Sequence, residues 1–306
     1  MSSNNNIKNL LQLTPEERKE FLNSFDFVLS DCDGVVWMIT GIPIPRVFEA
    51  LQCLKDNGKI VKFVSNNSVR SEAEYKENIS KYGITNFEED DIIHPVKSMI
   101  WYIKRTNPSA TVYPLISKAG IELLQKHGIN TVNMDSDVTT CASFATFVLD
   151  HGPPKVDYVV VDFNPSWGYI HLVKGLEYLK DSQCQLLLGG MDPVVPLAVE
   201  HNIPGYLVFY NFLTKHSNKQ PIILGKPSLL LADILKERFN ITDPKRCLFI
   251  GDLLEMDIQF GKSVGFQTLL VLSGANTKED MLNAPEGNTP DYYADSVGDF
   301  LDLLGD

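Results

Sequence analysis

The chain has 306 residues, with 27 basic against 39 acidic side chains and a formal net charge of −12. Its 44% hydrophobic and 22% charged fractions exclude collagen, coiled coil and disorder, and the length suggests about two domains of ordinary size. The acidic surplus, with no run of Lys and Arg to reverse it locally, argues against nucleic acid and against an anionic membrane surface as partners.

In chain order, Thr14-Pro15-Glu16-Glu17 supplies an N-cap, a proline at the first helical position and a capping box, so a short helix is expected over residues 15–23. FDFVLS then reads as a buried strand that stops at Asp31-Cys32-Asp33-Gly34. Helical spacing of Val47, Leu51 and Leu54 predicts a helix closed by Gly58. KIVKFV is the next strand and ends in Ser65-Asn66-Asn67-Ser68. Helices follow over residues 71–82 and 96–105.

A second alternation begins there. TVYPLI, a helix over 118–127, the apolar runs FATFVLD and VDYVVVDF, a helix near 171–180 and CQLLLGG form a smaller α/β unit. The first pattern then resumes with PIILGK, a helix over 228–239, RCLFIGD, a helix near 257–264 and TLLVLSG. Repeated βα alternation predicts a Rossmann-like, doubly wound parallel sheet, because parallel strands need crossover helices. The expected organisation is a core in two segments, 1–97 and 206–306, with an α/β cap inserted over 98–205.

Cys32, Cys53, Cys141, Cys184 and Cys247 are odd in number and contain no CxxC pair, so reduced thiols are expected rather than a disulfide framework or a zinc site. The amino-terminal stretch lacks the apolar region of a signal peptide, and no apolar run has the length of a membrane span. The expected address is cytoplasmic.

The polar residues at the strand ends carry the chemistry. FDFVLS delivers Asp31 and Asp33, KIVKFV delivers Ser65 and Asn66, PIILG delivers Lys226, and RCLFIG delivers Asp252 with Glu255 and Asp257 close behind. In open α/β sheets ligands bind beyond the carboxyl ends of the strands, so these groups should converge on one crevice. Carboxylates brought together at neutral pH repel one another unless a cation lies among them, and hard oxygen ligands suit Mg2+. Ser65, the backbone amides of Asn66 and Asn67, and the Lys226 ammonium are suited to phosphate oxygens. One carboxylate of the Asp31/Asp33 pair can attack phosphorus while the other handles protons. Cys32, between two carboxylates, reads as a passive filler, and Trp37 as a packed aromatic.

The segments Asp31 to Trp37, Val64-Ser65-Asn66-Asn67-Ser68, Gly225-Lys226-Pro227-Ser228 and Gly251-Asp252 with Asp257 resemble the four motifs of the haloacid dehalogenase superfamily. With the distal stretches from Thr268 and Pro290, the chain is most similar to its p-nitrophenylphosphatase branch. That branch includes phosphoglycolate, glycerol-3-phosphate and pyridoxal phosphate phosphatases. The resemblance implies a Mg2+-dependent phosphatase of small phosphorylated metabolites. Asp31 would be the nucleophile forming an aspartyl-phosphate, and Asp33 the general acid and base. Ser65 would hold the phosphoryl group with Lys226 neutralising charge. The metal would rest on the Asp31 carboxylate, the Asp33 carbonyl and Asp252, with Asp257 orienting Lys226 or metal-bound water. The inserted unit would be the family's cap, and if a homodimer forms the resemblance places its interface there.

The family usually writes the last motif Gly-Asp-Arg-Leu-Asp-Thr-Asp, whereas Leu253 and Met256 stand here for Arg and Thr. Gly189-Gly190 replaces a Thr-Asn or Thr-Asp pair in the cap. These departures motivate an alternative reading, a weakly active or inactive relative that works by binding a phospho-ligand or a partner.

Overall fold

The computed structural model describes residues 7–134, 138–149, 155–164, 167–198 and 201–305. Its short apolar runs form two parallel sheets. The larger has seven strands in the order Lys8–Asn9, Tyr292–Ala294, Gln267–Val271, Cys247–Gly251, Phe27–Ser30, Ile60–Val64 and Ile92–Ile93, every neighbouring pair parallel. From Phe27–Ser30 the chain builds outward in one direction and later returns to build in the other. Phe27–Ser30 and Cys247–Gly251 therefore flank the point where the strand order reverses, and their carboxyl ends open on a crevice.

Successive strand residues point to opposite faces, which gives this sheet two apolar layers. Val28, Phe63, Leu248 and Ile250 pack on one side with the helix Val47–Asp56; Leu29, Val64, Cys247 and Phe249 pack on the other. The first long helix starts at the cap expected from sequence. Glu17 N–H donates to Thr14 Oγ1 at 3.2 Å, with Pro15 in the first turn, and Ser71 caps Glu72–Lys81 in the same way.

The second sheet has five parallel strands in the order Ile222–Ile223, Gln185–Leu188, Tyr158–Val161, Thr111–Leu115 and Asn130–Thr131. This corrects one expectation. PIILG was read as a strand of the core, but Ile222–Ile223 pairs with Gln185–Leu188, so the second sheet takes a strand from beyond residue 205. The helix Leu207–Ser217 also lies on this side, its Tyr210 and Leu213 packing with Tyr113, Val159 and Leu186. A two-residue strand is set by long-range pairing that no local pattern reports. FATFVL lies in the helix Cys141–Leu149 and adds no strand, since short apolar runs of this length do not distinguish helix from strand. An antiparallel pair, Val194–Ala198 with His201–Pro204, went unforeseen.

The two sheets share an apolar layer. Leu29, Val64 and Phe249 of the first and Val112, Val160 and Leu187 of the second belong to one cluster, bridged by Met99, Ile103, Leu231 and Leu235 from two helices. No helix among the described residues is long and apolar enough to cross a membrane.

Leu224 sits in this shared layer fully buried, its N–H donating to Leu188 O at 2.9 Å. Leu224→Ala is expected to cost about 2–5 kcal/mol, through lost transfer energy and the cavity left behind. Urea unfolding should show a lower midpoint with an unchanged slope.

Candidate active site

The turn after Phe27–Ser30 sends its two carboxyls in different directions. Cys32 O accepts the N–H groups of Val36 at 2.8 Å and Trp37 at 3.2 Å, and Gly34 takes φ +82°, so the strand curls as it ends. Gly34 is required twice over. Its φ is one that side chains resist, and a Cβ there would lie 2.3 Å from Asp252 Oδ2.

Asp31 points to a buried cluster. Lys226 Nζ lies 2.9 Å from Asp31 Oδ1 and donates to Asp257 Oδ1 at 2.7 Å, and Lys226 is only 1% exposed. The other oxygen of Asp257 accepts the N–H groups of Asp252 at 3.1 Å and Leu253 at 3.0 Å. Asp257 reaches this position because residues Leu254–Ile258 make a single π-helical turn that folds it back under Gly251. Glu255, on the same turn, is exposed and takes no part.

Asp31, Asp252 and Asp257 each bring a carboxylate oxygen within 4.8 Å of the others. Burial, and then the charge of Asp257, push the Asp252 carboxyl up to about 8. Burial likewise raises Asp31, and Asp257 and Asp252 add to the effect against the opposing pull of Lys226. Burial alone would lower the Lys226 ammonium, but the carboxylates of Asp257, Asp31 and Asp192 outweigh it and hold the group raised and charged.

The cluster has the donor set of a divalent cation site. Asp252 Oδ2 accepts Ala275 N–H at 2.7 Å, whereas its Oδ1 is buried with no hydrogen-bond partner. A buried oxygen left unpaired is costly, and hard oxygen donors of this kind fit Mg2+. The loop after Gln267–Val271 supports the motif from the far side, with Asn276 Oδ1 accepting Leu254 N–H at 2.7 Å. That loop was not singled out in the sequence.

Asp33 stands apart from the cluster. Its Oδ1 accepts Trp37 Nε1 and Arg70 Nη1, both at 3.0 Å, and its Oδ2 accepts Asn67 Nδ2 at 2.9 Å. Trp37 is a packed aromatic, 1% exposed, and also orients this carboxyl. Arg70 went unnoticed in sequence, although it lies shortly after the SerAsnAsnSer run. It reaches back to Ile39 O at 2.7 Å as well as to Asp33.

Ser65 is buried beside the cleft, its Oγ accepting Asn67 N–H at 3.0 Å. The side chains of Asn66 and Asn67, in contrast, are already engaged. Asn66 donates to Asp192 Oδ2 at 2.8 Å and accepts Lys226 N–H at 2.9 Å, joining the core loop to the second unit and to the lysine segment. Asn67 is bound to Asp33. Cys32 is fully buried, and burial first, then Asp31 and Asp33, push its thiol well above the ordinary range. Asp31, Asp33, Ser65, Asn66, Asn67 and Asp252 line one cleft.

Comparison with known proteins agrees with this architecture. Residues 28–130 match the haloacid dehalogenase-like hydrolase family and residues 223–300 match the HAD-hydrolase-like family. Phosphoglycolate phosphatase 2 of Arabidopsis thaliana is 30% identical over 295 residues, covering 95% of this chain and 97% of the relative. A 4-nitrophenylphosphatase of Schizosaccharomyces pombe is 32% identical over 289 residues, covering 93% and 96%. The structure of p-nitrophenyl phosphatase from Archaeoglobus fulgidus superposes with a TM-score of 0.76 at 26% identity, over 91% of this chain and 99% of that one. The chain belongs to the haloacid dehalogenase-like hydrolases. Within them it is a phosphatase built from a doubly wound core and an inserted α/β cap.

The crowding of carboxyls has a measurable consequence. Asp252 in the folded protein titrates at about 8 against an ordinary 3.8, so the stability linked to its proton is present below pH 3.8 and lost as pH rises towards 8. In EDTA, Asp252→Asn should lose less melting temperature than wild type on going from acid to mildly alkaline pH. Mg2+ should raise the melting temperature of wild type and leave that of the variant unchanged. Parallel pH profiles for the two proteins would contradict this electrostatic account.

Proposed function

We propose that the protein is a Mg2+-dependent phosphatase of small phosphomonoesters that works through an aspartyl-phosphate on Asp31. The observation that carries this reading is the Asp31 carboxylate held against buried Lys226 beside the unpartnered Asp252 Oδ1, at the point where the strand order reverses. An Asp31 oxygen attacks phosphorus and the bond to the leaving oxygen breaks, with Asp33 delivering the proton that oxygen needs. Asp33 then takes a proton from the water that attacks the acyl phosphate, which releases inorganic phosphate and restores Asp31. The Ser65 hydroxyl, which accepts the Asn67 backbone amide, and the Asn66 backbone amide bind the phosphoryl oxygens. Lys226, fixed by Asp257, supplies positive charge at Asp31 throughout.

Asp31, Asp252 and the Asp33 carbonyl would hold Mg2+, which when bound neutralises phosphoryl charge. The departures at Leu253 and Met256 leave this cluster whole. Leu253 meets Asp257 through its backbone N–H, and Met256 is buried on the π-helical turn. That supports turnover over a purely binding role. The names of the relatives suggest nitrophenyl phosphate and phosphoglycolate as first substrates to try. All five cysteines are free of disulfides, with Cys141 exposed, which supports a reducing, cytoplasmic location.

Hydrolysis of p-nitrophenyl phosphate should require Mg2+ and stop in EDTA. Asp31→Asn should lower kcat by about a thousandfold or more, as nucleophile loss does in other covalent enzymes. Asp33→Asn should lower it by about 10²–10⁴-fold. Activity untouched in Asp31→Asn would end the aspartyl-phosphate mechanism.

A further inference from the structure

The part of the cleft that would receive the leaving group has two carboxylates and no cation among its described lining residues. Asp162, 1% exposed, directly follows the strand Tyr158–Val161 and lines the cleft together with Asp192. It occupies space that a side chain at position 189 would need, since a Cβ on Gly189 would lie 2.2 Å from Asp162 Oδ1. Ser68 Oγ donates to its other oxygen, which ties this cap carboxylate to the core loop. Neither carboxylate is among the ligand atoms of the Asp31, Asp252 and Asp257 cluster.

The Tyr210 hydroxyl is the third polar group here. It is buried, lines the same cleft and has no hydrogen-bond partner. Burial, and then the charges of Asp162 and Asp192, hold its phenol well above the ordinary range, so it stays neutral between two carboxylates.

No Lys, Arg or His is among the described residues lining the cleft. Lys226 is paired with Asp31 and Asp257, and Arg70 with Asp33. Leu253 lines the cleft at the position where the resembled family usually has Arg. The rest of the wall is apolar and partly aromatic, with Ile39, Phe163, Val195 and Tyr206, and the rings of Phe163 and Tyr206 are 4.7 Å apart.

We infer that this site selects phosphomonoesters whose leaving group has a flat or apolar body and no second negative charge. The inference rests on the phosphatase reading above. A carboxylate or second phosphate on the leaving group would lose its water on entering the cleft, meet no cationic side chain in the described wall, and face Asp162 and Asp192. Phosphoglycolate, whose leaving group bears a carboxylate, is therefore a poor substrate for this chain, although a relative carries its name.

The test compares phenyl phosphate with 4-carboxyphenyl phosphate and with phosphoglycolate, measuring kcat/KM for the Mg2+-loaded enzyme. Phenyl and 4-carboxyphenyl phosphate share shape and the reacting bond, so their ratio reports charge. The expected result is kcat/KM for phenyl phosphate at least about tenfold above both anionic substrates, with the loss shown chiefly in KM. The phenyl to 4-carboxyphenyl ratio should fall in Asp162→Asn, and fall further in Leu253→Arg, which places a cation in the wall. Equal or better hydrolysis of 4-carboxyphenyl phosphate by wild type would overturn the inference while leaving the phosphatase reading intact. Hydrolysis of none of the three would overturn the phosphatase reading itself.

Discussion

The site is organised by one buried cation. Lys226 lies between Asp31 and Asp257 at salt-bridge distance from both, and is almost completely shielded from water. Without it, three carboxylates would share a low-dielectric space, where like charges strongly resist joint ionisation. The need to anchor that ammonium accounts for much of the local architecture. The π-helical turn brings Asp257 underneath, the N–H groups of Asp252 and Leu253 fix the other Asp257 oxygen, and Asn66 accepts the N–H of Lys226.

Lys226 also joins the two units. It follows a strand of the second sheet yet delivers its charge at the end of a strand of the first. Asn66 continues this junction to Asp192, and Ser68 to Asp162, so loops that shape the phosphoryl site are bonded directly to the cap. In the proposed function, substrate selection and phosphoryl chemistry would then rest on the same short segment. In the proposed function the net charge of −12 is met locally by Lys226 and backbone amides at the phosphoryl position.

Much of this was legible in sequence because buried parallel strands are apolar runs that end abruptly at their functional residues. Asp31, Asp33, Ser65 and Asp252 could be found that way, and so could the alternation that implies a doubly wound sheet. The misreadings share a cause. Ile222–Ile223 is expected in the core but pairs in the second sheet, and the side-chain bonds of Asn66 to Asp192 and of Asn67 to Asp33 go unforeseen, because the partners lie far away in the chain. Arg70 and the loop holding Ala275 and Asn276 carry no local signature and become visible only when Asp33 and Asp252 are seen to need donors. Asp162 and Gly189 explain each other, a small residue making room for a carboxylate 27 positions away (189 − 162).

The most direct test of the central role of Lys226 is the stability of Lys226→Met in EDTA, measured by urea unfolding at acid and at mildly alkaline pH. Removing one partner of a buried ion pair typically costs about 3–5 kcal/mol. A loss of that size is expected at alkaline pH, shrinking in acid as Asp31 and Asp252 take up protons. A variant as stable as wild type at both pH values would show that the ammonium does not hold the carboxylates together.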